Sequence, residues 1–343
     1  MECKTKSEAK AAGVNATKSF DVNATKSFDV CVLGRIGYDL YAVEQNRALA
    51  EVEHFSRHLG GSSANIAVGL ARLGLRVAII SCVGKDLLAD YLLDFLNREG
   101  INTTCVRSLQ GLNTSLCLSE VSPPDRFPQV FYRSNPADLQ VEVGAGERDV
   151  IQRARMFVTN GTSLASSPAR ESTLEALKTA RAAGLRTILD VDYRSSSWKS
   201  PEEAGRVART VLDCVDVVLG NEEELCLLTG YSDAKGQVAA VLDAGTGLLV
   251  RKLGSKGVEA HTRDESCSAS PLPMDVTCAI GGGDGFASGF LYALYQGLPL
   301  QECLRYGNAA AAVVVSRVSC ADSMPRLEEL GGLLHATASI ADV

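Results

Sequence analysis

Short apolar runs alternate with helix-like runs over most of this chain, and this alternation limits the folds open to it. Each apolar run is rich in Val, Ile or Leu, and a longer run that contains charged residues follows it. The successive pairs are Val77 to Val83 with Leu87 to Glu99, Met156 to Asn160 with Arg170 to Ala183, Thr187 to Asp192 with Glu202 to Cys214, and Val217 to Gly220 with Glu222 to Leu228. Since a helix between two strands returns the chain for parallel pairing, the pattern predicts an α/β fold, a three-layer α/β/α sandwich around a mostly parallel sheet.

The two ends of the chain differ from this pattern. The octapeptide VNATKSFD occurs twice in tandem, at residues 14–21 and 22–29, and only the second copy leads into an apolar run, Phe28 to Gly34. That run predicts the first buried strand. With 343 residues, of which 46% are hydrophobic, the chain can form one large domain. We expect a disordered leader over residues 1–27, the domain over 28–335 and a C-terminal tail over 336–343.

Two stretches interrupt the alternation, at about residues 38–59 and 113–132. Both are extended in character, and the second alternates Leu116, Leu118 and Val121 before a Pro-Pro turn. We predict that they form a small β lid over the ligand edge of the sheet, with a plain structural hairpin as the alternative. Strands at the edge of such a lid can pair across a two-fold axis, so a homodimer through the lid is an open expectation.

Charge and hydropathy exclude several classes of partner. The net charge is −7 and there is no run of Lys or Arg, so the chain lacks the basic face that nucleic acid requires. No apolar stretch approaches the roughly 18 residues that span a bilayer, and the first residues have no apolar signal core, so we expect no membrane partner and a cytoplasmic protein. Eleven cysteines without CxxC spacing predict reduced thiols.

The strongest chemical signal is AIGGGDGFASGF, residues 279–290. Gly281, Gly282 and Gly283 stand where a helix begins, so their amide N–H groups are free to bind the oxygens of a phosphoryl group. Asp284 stands at the helix start, where it can accept the proton of an attacking hydroxyl. A flexible loop followed by an ordinary capping aspartate is the alternative.

A second signal is LGGSSANIAVGLARLG, residues 59–74, in which two glycines lead into an amphipathic helix. Gly60 and Gly61 allow the backbone to approach a polyol closely, and Asn65 can both donate to and accept from sugar hydroxyls. A structural loop and a capping asparagine would give the same pattern.

Two further segments could serve a nucleotide. In GNEEE, residues 220–224, polar groups follow an apolar strand. Asn221 and Glu224 could position Mg²⁺ through water and phosphate. The alternative is that they belong to an acidic first helical turn. In VRKLGSKG, residues 250–257, a strand ends in a glycine-bounded turn suited to cover phosphates. Neither the GxxxxGK[ST] nor the GxGxxG fingerprint accompanies them.

The order of these four segments resembles that of the ribokinase (PfkB) carbohydrate kinases from Phe28 onward. This resemblance implies a ribokinase-like fold and transfer of the ATP γ-phosphate to a primary sugar hydroxyl, with Asp284 as base and Gly281 to Gly283 as anion hole. It also implies Mg²⁺ and, as in several relatives, a monovalent cation such as K⁺. The ATP-binding residues implied are Asn221, Glu224, Lys252, Gly254, Gly257 and Asn308.

Longer stretches are similar to the branch of that family which phosphorylates 5-dehydro-2-deoxygluconate in myo-inositol catabolism. They are GRIGYDLY from Gly34, FYRSNPAD from Phe131, DVDYR from Asp190 and YGNAAAAVVVSRVSC from Tyr306. The resemblance implies substrate contacts from Asp39, Gly60, Gly61, Asn65, Arg133 and Arg194. Two arginines suit a substrate with a carboxylate, because a guanidinium binds it in bidentate fashion; each could instead be a surface or salt-bridge arginine.

Three alternatives stay open. The substrate could be 2-dehydro-3-deoxygluconate or fructose, since those kinases share the motifs, and a catalytically silent ligand-binding relative would keep the fold. The sequence also departs from the family, which usually has Ala at the positions of Gly282 and Gly285 and Pro at that of Ser63. We expect Gly285 to weaken the first helical turn by about 0.5 to 1 kcal/mol relative to Ala.

Overall fold

The computed structural model describes residues 26–341. The expected leader, with its tandem octapeptide, therefore lies outside the described residues except at Lys26 and Ser27. In chain order the strands are β1 (Val30–Leu33), β2 (Gly37–Ala42), β3 (Phe55–Gly60), β4 (Val77–Gly84), β5 (Asn102–Leu109), β6 (Ser115–Ser119), β7 (Gln129–Tyr132), β8 (Met156–Asn160), β9 (Arg186–Asp190), β10 (Val217–Asn221), β11 (Leu248–Lys252), β12 (Val258–His261) and β13 (Ser266–Ala269).

The helices follow the expected rhythm. They are α1 (Ser62–Arg72), α2 (Leu87–Arg98), α3 (Ala145–Gln152), α4 (Ala169–Ala182), α5 (Pro201–Arg209), α6 (Glu222–Thr229), α7 (Ala234–Asp243), α8 (Gly282–Tyr295), α9 (Leu300–Val315) and α10 (Leu327–Ala341). The helix α10 runs past position 335, where we expected a tail to begin. Among residues 26–341, no helix is both long and apolar enough to span a membrane.

The large sheet has nine strands in the order β13-β12-β11-β10-β9-β8-β1-β4-β5. Every neighbouring pair from β11 to β5 is parallel, whereas β12 and β13 add antiparallel strands at one edge. The predicted mostly parallel sheet is thus confirmed. The antiparallel edge was not foreseen, because these two strands are short and follow one another without a helix.

The strands are buried on both faces, and β1 shows how. Val30 and Val32 point into a core built with α1, α2, α8 and α9, whereas Cys31 and Leu33 point into a core built with α3 to α7. Because side chains alternate along a strand, one apolar run serves both layers. The three-layer α/β/α sandwich is therefore confirmed. The cysteines in the described part of the chain are all free, as expected.

The second sheet is the predicted small lid, with four strands in the order β3-β2-β6-β7. The central pair, β2 and β6, is parallel, and the two outer pairs are antiparallel. The register aligns Asp39, Cys117 and Phe131 in one row, so these side chains share a face, which we call the inner face. The outer face carries Val130 and Tyr132, which are 43% and 61% exposed.

Candidate active site

The three glycines of the GGGDG segment form a turn at the start of α8, as predicted. Gly281 has a φ of +87°, and a Cβ atom there would lie 2.4 Å from Sγ of Cys320. Only glycine fits both the left-handed backbone and this contact. A Cβ atom at Gly283 would lie 3.6 Å from Nζ of Lys252. The expectation that all three glycine amides are free is wrong for Gly282, whose amide donates to the Ala279 carbonyl at 3.2 Å and so closes the turn. The Gly283 amide lies at the start of the helix, close to the lysine ammonium, and this combination suits phosphate oxygens.

Asp284 follows this turn and is held from both sides. Ser62 Oγ donates to its Oδ1 at 2.7 Å, and Asn65 Nδ2 donates to its Oδ2 at 2.8 Å. Burial raises the pKa of Asp284, as does the negative charge of Asp192, and the two hydrogen bonds oppose this rise. A carboxylate with a raised pKa and a fixed orientation is suited to take a proton from a hydroxyl.

Both donors lie on α1, whose position depends on the two preceding glycines. Gly61 has a φ of +92°, and a Cβ atom there would lie 2.4 Å from the carbonyl oxygen of Arg35. At Gly60 a Cβ atom would lie 2.1 Å from Cγ of Asp39. These glycines therefore leave room for the chain after β1 and for the carboxylate of Asp39.

Asp39 projects from β2 on the inner face of the lid. It is buried, and its Oδ1 has no hydrogen-bond partner among the described residues. Burial raises the pKa of Asp39 to about 6, although the nearby charges of Arg35 and His58 act in the opposite direction. A buried acceptor without a partner is costly, so this carboxyl is available for a ligand hydroxyl.

The two arginines predicted to bind substrate have partners within the chain. Arg133 forms a buried ion pair with Asp138 and donates to Ser197 Oγ at 2.6 Å and Ser115 Oγ at 3.3 Å. Arg194 is 43% exposed on its side chain and pairs with Asp192 at 3.1 Å. The structure thus places Arg133 against Ser115 on the lid and Arg194 near Asp192 and the base Asp284.

Asn221 and Glu224 form a reciprocal cap at the start of α6. Asn221 Oδ1 accepts from the Glu224 amide at 2.9 Å, and Glu224 Oε2 accepts from the Asn221 amide at 2.8 Å. The other carboxylate oxygen, Oε1, accepts from the Tyr193 amide at 3.2 Å. Their contacts are therefore those of the alternative interpretation, in which the two residues cap the start of a helix. They could contact Mg²⁺ only through bridging water.

Lys252 ends β11 beside the glycine turn. Its Nζ donates to Asp190 at 2.8 Å and 3.0 Å, and both side chains are largely buried. Burial alone would lower the pKa of Lys252, but the charges of Asp190 and Glu224 outweigh it and the net direction is upward. The lysine is therefore a fixed positive charge next to the amides of the turn.

A cleft of about 460 Å³ opens beside Lys252 and Gly283. Gly254, Gly257 and Asn308, which the sequence suggested as ATP-binding residues, line this cleft. Asn308 Nδ2 donates to the carbonyl oxygens of Ala269 and Ser270, at 3.3 Å and 2.7 Å, and so fixes the end of β13. The volume lies in the range of small-molecule sites.

Sequence reasoning missed several residues of this site. The apolar wall of the cleft comes from a loop that bears no motif, with Pro271, Leu272, Pro273, Met274 and Val276. Ser62 and the pair of Asp190 and Asp192 lie inside segments that were singled out, but no role was assigned to them there. Asp192, with a φ of +34°, is held in a left-handed conformation that is uncommon for aspartate.

An α/β sandwich with a lid, a glycine turn and a carboxylate at the start of one helix defines a kinase that acts on small hydroxyl compounds. Residues 27–327 match the family described as pfkB family carbohydrate kinase. The chain belongs to this family, whose members transfer phosphate to sugar hydroxyls. The ribokinase-like fold and the enzyme class predicted from the sequence are thereby confirmed.

Curated relatives extend the comparison. The chain is 35% identical over 304 residues to a 5-dehydro-2-deoxygluconokinase of Clostridium perfringens, covering 87% of this chain and 90% of that one. It is 35% identical over 307 residues to the protein of the same name from Lacticaseibacillus casei, covering 88% and 94%. A solved structure, fructokinase with bound ATP from Xylella fastidiosa, superposes with a TM-score of 0.81 at 25% identity over 90% of this chain and 99% of that chain.

Proposed function

We propose that the enzyme phosphorylates a primary hydroxyl of the sugar acid 5-dehydro-2-deoxygluconate with ATP, as a step of myo-inositol catabolism in the cytoplasm. The observation that carries the reaction is the pair of hydrogen bonds that fixes Asp284 next to the glycine turn. The names of the curated relatives support the substrate.

In this mechanism the acceptor hydroxyl gives its proton to Asp284 while its oxygen attacks the γ-phosphorus of ATP. The bond between the γ-phosphorus and the bridging oxygen breaks, and ADP leaves with that electron pair. The amides of this turn that have no carbonyl partner among the described residues, those of Gly281 and Gly283 at the positive end of α8, stabilise the negative charge on the transferring group. Lys252, held by Asp190, adds a positive charge on the same side.

The cleft beside Lys252 is proposed as the ATP site. Its apolar wall is suited to pack against the adenine ring, and the backbone amides at its glycine-rich end are suited to donate to phosphate oxygens. Within residues 26–341 no group of three or more His, Cys, Asp and Glu side chains is placed to hold a metal ion. The residues thus fit Mg²⁺ carried mainly by the nucleotide, with Asn221 and Glu224 acting through water. Bound in that way, Mg²⁺ would neutralise phosphate charge.

Two substrates of the same class, 2-dehydro-3-deoxygluconate and fructose, remain alternatives within this reaction, as does a monovalent-cation requirement. A silent binding protein is disfavoured, because such a protein has no need of a held carboxylate beside an anion hole. An ATP-consumption assay tests the proposal on 5-dehydro-2-deoxygluconate, 2-dehydro-3-deoxygluconate, fructose, ribose and adenosine, with and without Mg²⁺ and with K⁺ exchanged for tetramethylammonium. Turnover of 5-dehydro-2-deoxygluconate alone supports the proposal. Turnover of another compound in the set keeps the reaction and assigns that compound as the substrate, and lack of turnover with all five contradicts the proposed kinase activity.

We further propose a homodimer through the outer face of the lid. Val130 and Tyr132 expose apolar surface on the edge strand β7, and a two-fold axis brings two such faces together. Light scattering of the intact enzyme tests it. A dimer that becomes a monomer in Tyr132→Glu agrees with the proposal, and a wild-type monomer at micromolar concentration contradicts it.

A further inference from the structure

Arg35 is a buried cation that forms no ion pair with a described residue. It follows β1 at the edge of the sheet where the lid begins, and the residue is only 8% exposed. Its Nη1 is buried and has no hydrogen-bond partner, and no carboxylate among the described residues lies within ion-pair distance of it. Burial of an unpaired guanidinium nitrogen is expensive. A binding site, where a ligand supplies the missing partner, accounts for it.

The guanidinium faces the substrate side of the lid. Its carbon lies 5.7 Å from the centre of the Phe131 ring, in the row of the inner face that also holds Cys117 and Asp39. Gly37 borders it, since a Cβ atom there would lie 2.8 Å from Nη1 of Arg35. Glycine at position 37 therefore leaves space beside the free nitrogen.

Two further buried atoms without a partner in the described part of the chain belong to residues near the proposed base, and one of these residues, Asp39, is close enough to both Arg35 and Asp284 for their charges to shift its pKa. They are Oδ1 of Asp39 and Oδ1 of Asn65, the residue whose Nδ2 binds the base Asp284. Two acceptors and one cation are thus left without partners close to the proposed base. A polyol with an anionic end would satisfy all three, because hydroxyls donate to the two oxygens and a carboxylate accepts from the guanidinium.

The other arginines near the site have their charge balanced already. Arg133 is paired with Asp138, and Arg194 is paired with Asp192. Arg35 also has a neighbour of opposite charge in Asp39, but the two do not form an ion pair and Oδ1 of Asp39 stays free. Among these three arginines, Arg35 has the clearest unused capacity for an anion.

We propose that Arg35 binds the carboxylate of the substrate and makes this kinase specific for sugar acids. The carboxylate then lies under the lid, and the hydroxyl to be phosphorylated lies at Asp284, at the opposite end of the substrate. This inference rests on the proposed function, since it requires a carboxylated acceptor. It assigns to Arg35 the role that sequence similarity alone gave to Arg133 and Arg194.

The test compares Arg35→Gln with wild type on the sugar acid and on its neutral carboxamide. We expect the KM of Arg35→Gln for the acid to rise on the order of 10- to 100-fold, because one charged hydrogen-bonded contact is lost. The KM for the carboxamide should change less than about threefold. Arg57→Gln removes an exposed arginine from β3 and serves as the matched control. Equal losses on both substrates would overturn the inference.

A substrate-side measurement keeps the test independent of how the variant folds. Wild-type enzyme should use the carboxamide with a kcat/KM on the order of 10- to 100-fold below that of the acid, and Arg35→Lys should retain part of the preference for the acid. Equal kcat/KM values of wild type for acid and carboxamide would contradict the proposed carboxylate site but not the proposed kinase activity. Absence of turnover with any sugar would instead overturn the proposed function.

Discussion

Asn65 on α1 donates a hydrogen bond of 2.8 Å to Oδ2 of Asp284 on α8. The helix that follows Gly60 and Gly61 therefore orients the proposed base. The two segments lie 219 residues apart in the chain. Ser62 completes the arrangement from the same turn of α1. The carboxylate is therefore oriented by the fold before any substrate arrives.

Asp284→Asn should lower kcat by about 10²- to 10⁴-fold, because the amide cannot accept the hydroxyl proton. Fold and ATP binding should be retained, since Asn is also tolerated at a helix start. Steady-state kinetics and thermal unfolding check this. The control is Asp90→Asn, which removes an exposed carboxylate from the first turn of α2 and should leave kcat unchanged. Full activity in Asp284→Asn would show that another group is the base.

Ser62→Ala should move the acid limb of the pH profile of kcat/KM to higher pH. The reason is that the Ser62 hydroxyl lowers the pKa of Asp284, so its removal lets the burial-driven rise prevail. Activity needs the ionised base and is lost as pH falls through that pKa. Ser288→Ala is the control, because Ser288 donates to the backbone carbonyl of Asp284 and not to its carboxylate. An unchanged limb in Ser62→Ala would exclude Asp284 as the titrating group.

Asp190→Asn should destabilise the fold by about 3 to 5 kcal/mol, since it leaves the charge of Lys252 buried without its partner. Combining it with Lys252→Met should recover much of the loss in stability while kcat stays low, because the positive charge at the turn is then missing. Urea unfolding of both single variants and of the double variant provides the comparison. A double variant no more stable than Asp190→Asn would contradict the pairing.

Asp39→Asn should stabilise the protein in neutral solution and weaken sugar binding. The pKa of Asp39 is about 6 when folded against a usual 3.8, so ionising this buried carboxyl costs stability progressively as pH rises between these values. Because the shift is about two pH units, the advantage of Asp39→Asn over wild type should grow by about 2 kcal/mol between about pH 4 and about pH 8. Urea unfolding at both values measures it, and an advantage independent of pH would contradict the raised pKa.

Gly285→Ala should destabilise the enzyme by about 1 to 2 kcal/mol in spite of the better helix propensity of Ala. A Cβ atom there would lie 2.8 Å from Cγ2 of Val314 and 3.2 Å from the Ala310 carbonyl oxygen. Adding Val314→Ala should therefore remove part of the penalty. Gly146→Ala in α3 is the control, since its Cβ meets nothing within 4 Å and should stabilise. Stabilisation by Gly285→Ala itself would refute the packing argument.

Hydrophobic periodicity predicted the three layers, because a strand that is buried on both faces is a continuous apolar run in the sequence. Met156 to Asn160 was placed without error, and the lid followed from the alternation around Leu116 and Leu118. The pairing of Arg133 with Asp138 and of Lys252 with Asp190 was out of reach, because a contact between distant side chains leaves no local pattern. Arg35 could not be singled out for the same reason, since lack of a partner is a property of the folded chain.

The proposed sugar contacts from Asp39 and Arg35 belong to the lid and its first connection, whereas the base and the glycine turn belong to α8. The proposed choice of acceptor therefore depends mainly on a different part of the polypeptide from the transfer of phosphate, and Asn65 connects the two. A lineage built on this plan can exchange one sugar for another by substitutions in the lid and in the connection that leads into it, while the reaction itself is inherited unchanged.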